Sequence, residues 1–150
     1  MLQESLDLRA EADEFHGFLQ TLDEQAWGRP TGFKGWTPWD VVAHLHYFDR
    51  VSLLALQGEQ AFVAKRDELI KAYSEGRANA EIARSEIGDL CPGELLEQWH
   101  TDNVDLAEQL LAEALVAEII EQIETSGRRA AARTCRPGAP SILPRDSADP

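Results

Sequence analysis

The sequence is poor in cysteine and contains no long apolar run. It has two cysteines, Cys91 and Cys135, which lie far apart, so we expect no disulfide framework and a location in the reducing cytoplasm. No stretch reaches the roughly 18–20 apolar residues that cross a membrane. Residues 1–5 do not form a basic region that leads into an apolar stretch, so we expect no signal peptide.

Basic residues are also scarce. The 150 residues contain 14 Lys and Arg against 27 Asp and Glu, which gives a net charge of −13. Nucleic acids and anionic membranes are polyanions, so we expect neither as a partner. The charge is uneven, because residues 127–150 hold five arginines and two aspartates, a net charge of +3, and the first 126 residues therefore carry −16.

The chain shows no alternating β pattern, no internal repeat and no glycine-rich phosphate loop that follows a strand. Apolar residues instead recur at helical spacing. The pattern predicts helices over about residues 3–24, 38–57, 59–74 and 92–125, with a further short helix over 78–87 that is ambiguous. The length suits one domain with a proper core, so the fold class predicted is all-α, an antiparallel helical bundle.

The periodicity stops near Gly127. Residues 127–150 contain four prolines and no apolar stripe, which is typical of disorder. We therefore predict a helical-bundle domain over residues 1–126 and an Arg/Pro-rich, disordered tail over residues 127–150.

The segment 35–45, Gly-Trp-Thr-Pro-Trp-Asp-Val-Val-Ala-His-Leu, is the most informative part of the chain. Thr37 is a good helix N-cap, Pro38 suits the first helical position, and Asp40 completes a variant of the capping box. This fixes the register of the helix and places His44 at the edge of its apolar face.

His44 is therefore a candidate metal ligand. Asp40 lies four residues earlier and is expected to hydrogen-bond one ring nitrogen, which would leave the other free for a metal ion. The alternative is that His44 lies at the edge of the core and that Asp40 only provides its hydrogen-bond partner. Both interpretations fit this segment.

Other side chains offer weaker candidates. Asp49 could line the mouth of a cavity or lie in solvent, and His46 is expected on the surface or against another helix. His16 and His100 have acids nearby but lack the spacing of a metal motif; each could complete a site in the bundle core or lie on the surface. Trp36 and Trp39 flank the helix start and could wall a pocket there.

These residues carry a resemblance to a known family. The elements Gly35-Trp36-Thr37, Asp40 and Ala43-His44-Leu45, with a later Leu95-Leu96-x-x-Trp99, resemble the DinB-like metal-binding bundles. The chain looks most like the N-terminal domain of mycothiol-dependent maleylpyruvate isomerases over about residues 5–115.

The resemblance implies a four-helix bundle that holds a divalent metal ion, with zinc expected. It implies mycothiol as a thiol cofactor and a small-molecule or thiol substrate. Of the metal ligands, only the histidine of the second bundle helix carries over, onto His44. The fourth-helix motif is missing, so the fourth helix is absent or divergent, and the chain resembles a truncated, frame-shifted or divergent member.

Two functions stay open. The first is a divalent-metal-binding domain related to thiol-dependent isomerases or transferases, in which the catalytic residues are unknown and no complete catalytic site is recognised. Here His44 would be the ligand, Asp40 its orienting carboxylate, and Asp49, Trp36 and Trp39 cavity-lining residues. The second is a non-catalytic bundle that forms a homodimer or binds a protein partner through an exposed inner face.

Overall fold

The structure, a computed structural model, describes residues 2–134, apart from the side chains at 127 and 129–134. All regular structure in this part is helical, which confirms the all-α prediction. The helices are α1 (Leu2–Leu19), α2 (Glu24–Trp27), α3 (Pro38–Gln57), α4 (Glu59–Ser74), α5 (Asn79–Ile87) and α6 (Pro92–Thr134).

The first predicted helix is too long. It was expected to reach residue 24, but α1 ends at Leu19. The reason is Asp23, whose side chain accepts a hydrogen bond from the backbone N–H of Ala26 at 2.7 Å and so caps the short helix α2. An N-cap residue needs an extended backbone, which Asp23 has, and this interrupts the helical path.

The last predicted helix is too short. Gly127 was expected to end it near Thr125, yet α6 continues through Gly127 to Thr134. A glycine inside a helix costs only about 1 kcal/mol relative to alanine, and three alanines follow at 130–132. The first eight residues of the predicted tail are thus helical, and the predicted disorder of residues 135–150 lies outside the described residues.

The centre of the fold is α3, which packs against α2, α4 and α5. Its inner residues Val42 and Ala43 are fully buried. The largest fully buried side chains are Leu19, Val42 and Leu95, which come from three different helices. The start of α3 is therefore held in the best-packed part of the molecule.

The chain divides into two compact units, Met1–Leu115 and Val116–Pro150. Every buried residue within the described part lies in the first unit, and Ala114 is the last of them. The described residues of the second unit belong to the continuation of α6. None of the described helices is long and apolar enough to span a membrane.

Candidate functional site

The predicted capping box at the start of α3 is present. Thr37 is extended, and its Oγ1 accepts a hydrogen bond from the backbone N–H of Asp40 at 3.2 Å. In return, Asp40 Oδ2 accepts from the backbone N–H of Thr37 at 2.9 Å and from its hydroxyl at 2.8 Å. These reciprocal bonds fix the direction in which the first two turns of α3 present their side chains.

Asp40 does not orient His44 in this structure. Its other oxygen, Oδ1, forms an ion pair with the guanidinium of Arg84 on α5. That guanidinium also lies over the ring of Trp39, 4.9 Å from the ring centroid. With one oxygen in the cap and the other facing Arg84, the carboxylate links α3 to α5, and no hydrogen bond joins it to the imidazole among the described residues.

The imidazole of His44 contacts two aromatic rings. Trp36 approaches it edge-on with a centroid distance of 5.2 Å, and Phe48, one turn further along α3, lies at 4.7 Å. Its Nδ1 is buried and has no hydrogen-bond partner among the residues that the structure describes. Burial lowers the pKa of His44, which favours the neutral imidazole.

The structure separates the two tryptophans that were expected to wall one pocket. Trp36 contacts His44, whereas Trp39 donates its Nε1–H to the carbonyl of Leu90 at 2.9 Å. Trp39 lines a different cleft of about 550 Å³. The residues that line this cleft with Trp39 include Thr37, Arg84, Trp27 and Leu90.

Asp49 is an internal hydrogen-bond acceptor. Its Oδ2 accepts from Trp99 Nε1 at 3.1 Å and from Asn103 Nδ2 at 2.9 Å, so that it joins α3 to α6. Burial raises the pKa of Asp49, and the two hydrogen bonds oppose that rise. The carboxylate thus has a structural role between α3 and α6, and a position at the mouth of a cavity stays a prediction.

The spacing of residues on α6 contains a signal for the contact between Asp49 and Asn103. The apolar stripe of α6 skips from Trp99 to Leu106, and Asn103 occupies the skipped position on the same face. A polar residue inside a buried stripe needs a polar partner. Asn103 is buried, and Asp49 is that partner.

His46 is buried, so the expectation of a surface position is wrong and the alternative, a position against another helix, is confirmed. Only 2% of the residue is exposed, and Nδ1 lies 3.5 Å from Asp102 Oδ2 on α6. Burial lowers the pKa of His46, while the charge of Asp102 acts to raise it. The two residues line an open polar groove of about 580 Å³ with Arg50 and Gln98.

The remaining histidines, His16 on α1 and His100 on α6, stack on each other at a centroid distance of 4.1 Å. His16 Nε2 lies 3.2 Å from Glu97 Oε1, and His100 Nε2 lies 2.7 Å from Asp13 Oδ1. The hydrogen bond with His100 lowers the pKa of Asp13. His16 and His100 are separate from His44, and their contacts join α1 to α6.

The described residues do not assemble a metal centre. No group of three or more His, Cys, Asp or Glu side chains in residues 2–134 could hold a metal ion together. His44 offers one ring nitrogen, whereas protein zinc sites use three or four ligands. The residues described at 2–134 therefore assemble no complete catalytic set around it.

Comparison with known families accounts for the motif around His44. The family model described as the mycothiol maleylpyruvate isomerase N-terminal domain matches residues 8–142. The chain belongs to this family. The resemblance predicted from the segment 35–45 is therefore confirmed, and the mycothiol maleylpyruvate isomerase N-terminal family, a DinB-like helical domain, agrees with the helices observed.

The relatives of this family member include two uncharacterized proteins of Mycobacterium tuberculosis, from strains CDC 1551 / Oshkosh and ATCC 25618 / H37Rv. Each is 36% identical to the chain over 107 residues, which is 71% of this chain and 40% of the relative. The chain thus spans well under half the length of these relatives. No solved structure matches it.

Proposed function

We propose that this DinB-like domain is related in function to the mycothiol-dependent isomerases or transferases and that His44 is one ligand of a divalent metal ion, with zinc as the ion. The observation that carries the proposal is the buried, unpartnered Nδ1 of a histidine that the capping box positions. Mycothiol as the thiol and a small-molecule substrate are part of the same proposal, and they rest on the family.

The state of the imidazole supports a ligand role. A buried ring nitrogen without a partner costs about 1–3 kcal/mol, so a purely structural histidine is normally satisfied. His44 bears this cost, because its Nδ1 has no partner among the described residues. Burial also favours the neutral imidazole, which is the form that binds metals. The contacts with Trp36 and Phe48 restrict the orientation of the ring.

One histidine does not make a stable zinc site, so the residues described do not by themselves fit a bound metal. The proposal therefore requires the remaining ligands to come from outside residues 2–134, and no catalytic step through the metal follows from the residues described. The low cysteine content favours the cytoplasm as the place where such a thiol-linked protein works.

The proposal is tested by the metal content of the purified chain. We expect elemental analysis to find zinc in the wild type and to find that His44→Ala has lost it. The matched control is His100→Ala, since His100 is a histidine on another helix that already pairs with Asp13, and this variant should keep the metal. Equal metal content in the wild type and His44→Ala would refute the ligand role.

The second candidate function is a non-catalytic helical bundle that dimerises or binds a protein partner. It is favoured by one observation, the apolar residues that α6 exposes in the second unit. These are Val116, Ile119, Ile120 and Ile123.

A further inference from the structure

The second unit carries a stripe of apolar side chains that are exposed in the part of the chain that the structure describes. Val116, Ile119, Ile120 and Ile123, here called the α6 stripe, are between 51% and 66% exposed. They are spaced by 3, 1 and 3 residues, so they form one face of a helix. Four large aliphatic side chains in adjacent turns are an unusual amount of apolar surface for one exposed helix face.

Small residues continue the same face towards the C-terminal end of α6. Gly127 and Ala130 lie 7 residues beyond Ile120 and Ile123, two turns further along the same side of the helix. Large residues therefore occupy the first half of this face and small residues the second half. An antiparallel pairing of the segment with a copy of itself would place the large half against the small half.

The charges of the segment follow the same division. Acidic residues occur only before Gly127, at Glu118, Glu121 and Glu124, and basic residues only after it, at Arg128, Arg129 and Arg133. A parallel pairing in register would bring like charges together, and an antiparallel pairing brings opposite charges together. Charges that flank an apolar helix seam set partner and orientation in this way.

One pair defines the register. Glu118 and Arg129 are 11 residues apart, which is about three helical turns, so both positions lie on the same flank of the stripe. A two-fold axis between positions 123 and 124 sets Glu118 opposite Arg129 of a second copy, and Ile120 opposite Gly127. Near that axis, Glu124 and Arg128 of the same chain form an ion pair, with Arg128 Nη2 3.8 Å from Glu124 Oε2.

We propose that the α6 stripe binds a second copy of this chain, as an antiparallel helix pair related by a two-fold axis near residues 123–124. This inference names a second copy of the chain as the partner in the second candidate function, and it rests on that function. It is independent of a metal at His44, because the stripe and His44 lie in different units of the chain.

Sedimentation velocity of the full chain, over about 1 to 200 µM, tests the proposal. The wild type should shift from monomer to dimer and go no further. Ile123→Glu should be monomeric throughout the range. Ile70→Glu on α4 is the matched control, because Ile70 is also an exposed aliphatic residue, and this variant should dimerise as the wild type does.

The register is tested by charge reversal, which leaves the apolar surface intact. Glu118→Arg alone and Arg129→Glu alone should each raise the dimer dissociation constant by at least about tenfold, because each places like charges face to face. The double variant should return to within about threefold of the wild type. A wild type that stays monomeric, forms open-ended aggregates, or dimerises with no rescue in the double variant would overturn the proposal.

Discussion

Asp49 shows how one carboxylate fixes the contact between two helices. It accepts hydrogen bonds from the indole of Trp99 and the amide of Asn103, both on α6. These donors are largely buried, since Trp99 is 2% and Asn103 is 4% exposed. Removing the acceptor would therefore leave two donors without partners in a place that water does not reach.

We predict that Asp49→Ala lowers the free energy of unfolding by about 1–3 kcal/mol, the usual cost of buried unsatisfied polar groups. Asp49→Asn should cost less, because its side-chain oxygen can still accept one of the bonds. Urea denaturation followed by circular dichroism measures both. Asp67→Ala is the control, since that carboxylate is exposed and pairs only with its neighbour Arg66; an equal loss in the control would contradict the prediction.

The pH dependence of the same variants follows from the raised pKa of Asp49, which burial causes. A group whose pKa is higher in the folded state destabilises that state when it is charged, and the penalty fades as pH falls through the folded pKa. Asp49→Asn has no such charge. The stability of the wild type should therefore rise relative to Asp49→Asn as the pH is lowered from neutral.

At the scale of the helix, α3 is the element that the sequence predicts best. Its bounds, its N-cap at Thr37 and the capping partner Asp40 are all local signals, and the structure confirms them. The role of Asp40 towards His44 was not predictable in the same way. The carboxylate of Asp40 pairs with Arg84 instead. Arg84 is distant in sequence, and no local sequence pattern predicts an ion pair between α3 and α5.

The predicted end of α6 near Thr125 is wrong because a glycine fits two different backbone structures. Gly127 is a favourable C-cap when its backbone is left-handed, and it is merely a weak helix former when the helix continues. The alanines at 130–132 have high helix propensity and favour the continuing helix.

The substitution Gly127→Ala distinguishes a helix that continues through residue 127 from a helix that ends there. In a continuous helix the substitution should stabilise α6 by about 0.5–1 kcal/mol and increase the helical signal. At a left-handed cap it would do the opposite. Far-ultraviolet circular dichroism of the full chain, during thermal unfolding, distinguishes the two results, and a loss of helical signal would show that α6 ends at Gly127 in solution.

At the scale of the whole chain, burial is confined to the first unit. The core residues come from α1, α2, α3, α4, α5 and the first part of α6, and the last buried residue described is Ala114. None of the residues described after Ala114 is buried. The chain divides into two compact units after Leu115, and the boundary at residue 126 that the sequence indicates stays a prediction.

We predict that a chain ending at Leu115 still unfolds cooperatively, with a midpoint within about 4–8 °C of the full chain, which corresponds to a change of roughly 1 kcal/mol for a domain of this size. The reason is that it keeps every buried residue described. Differential scanning calorimetry measures the midpoint. A broad transition without cooperativity would show that residues beyond Leu115 are needed for the core.

The candidate site was predictable only in part. The position of His44 on α3 and its resemblance to a ligand position followed from local sequence. Its surroundings did not, because the contact with Trp36 depends on the path of the loop before α3. The pairing of His46 with Asp102 and of His16 with His100 depends on how helices distant in sequence pack together.

The contact between Trp36 and His44 also gives the molecule an optical reporter. An excited indole transfers an electron readily to a protonated imidazole at van der Waals distance. Trp36 is the tryptophan whose ring meets His44, with the centroids 5.2 Å apart. The light emitted by this one side chain therefore registers the chemical state of the histidine beside it, without any label attached.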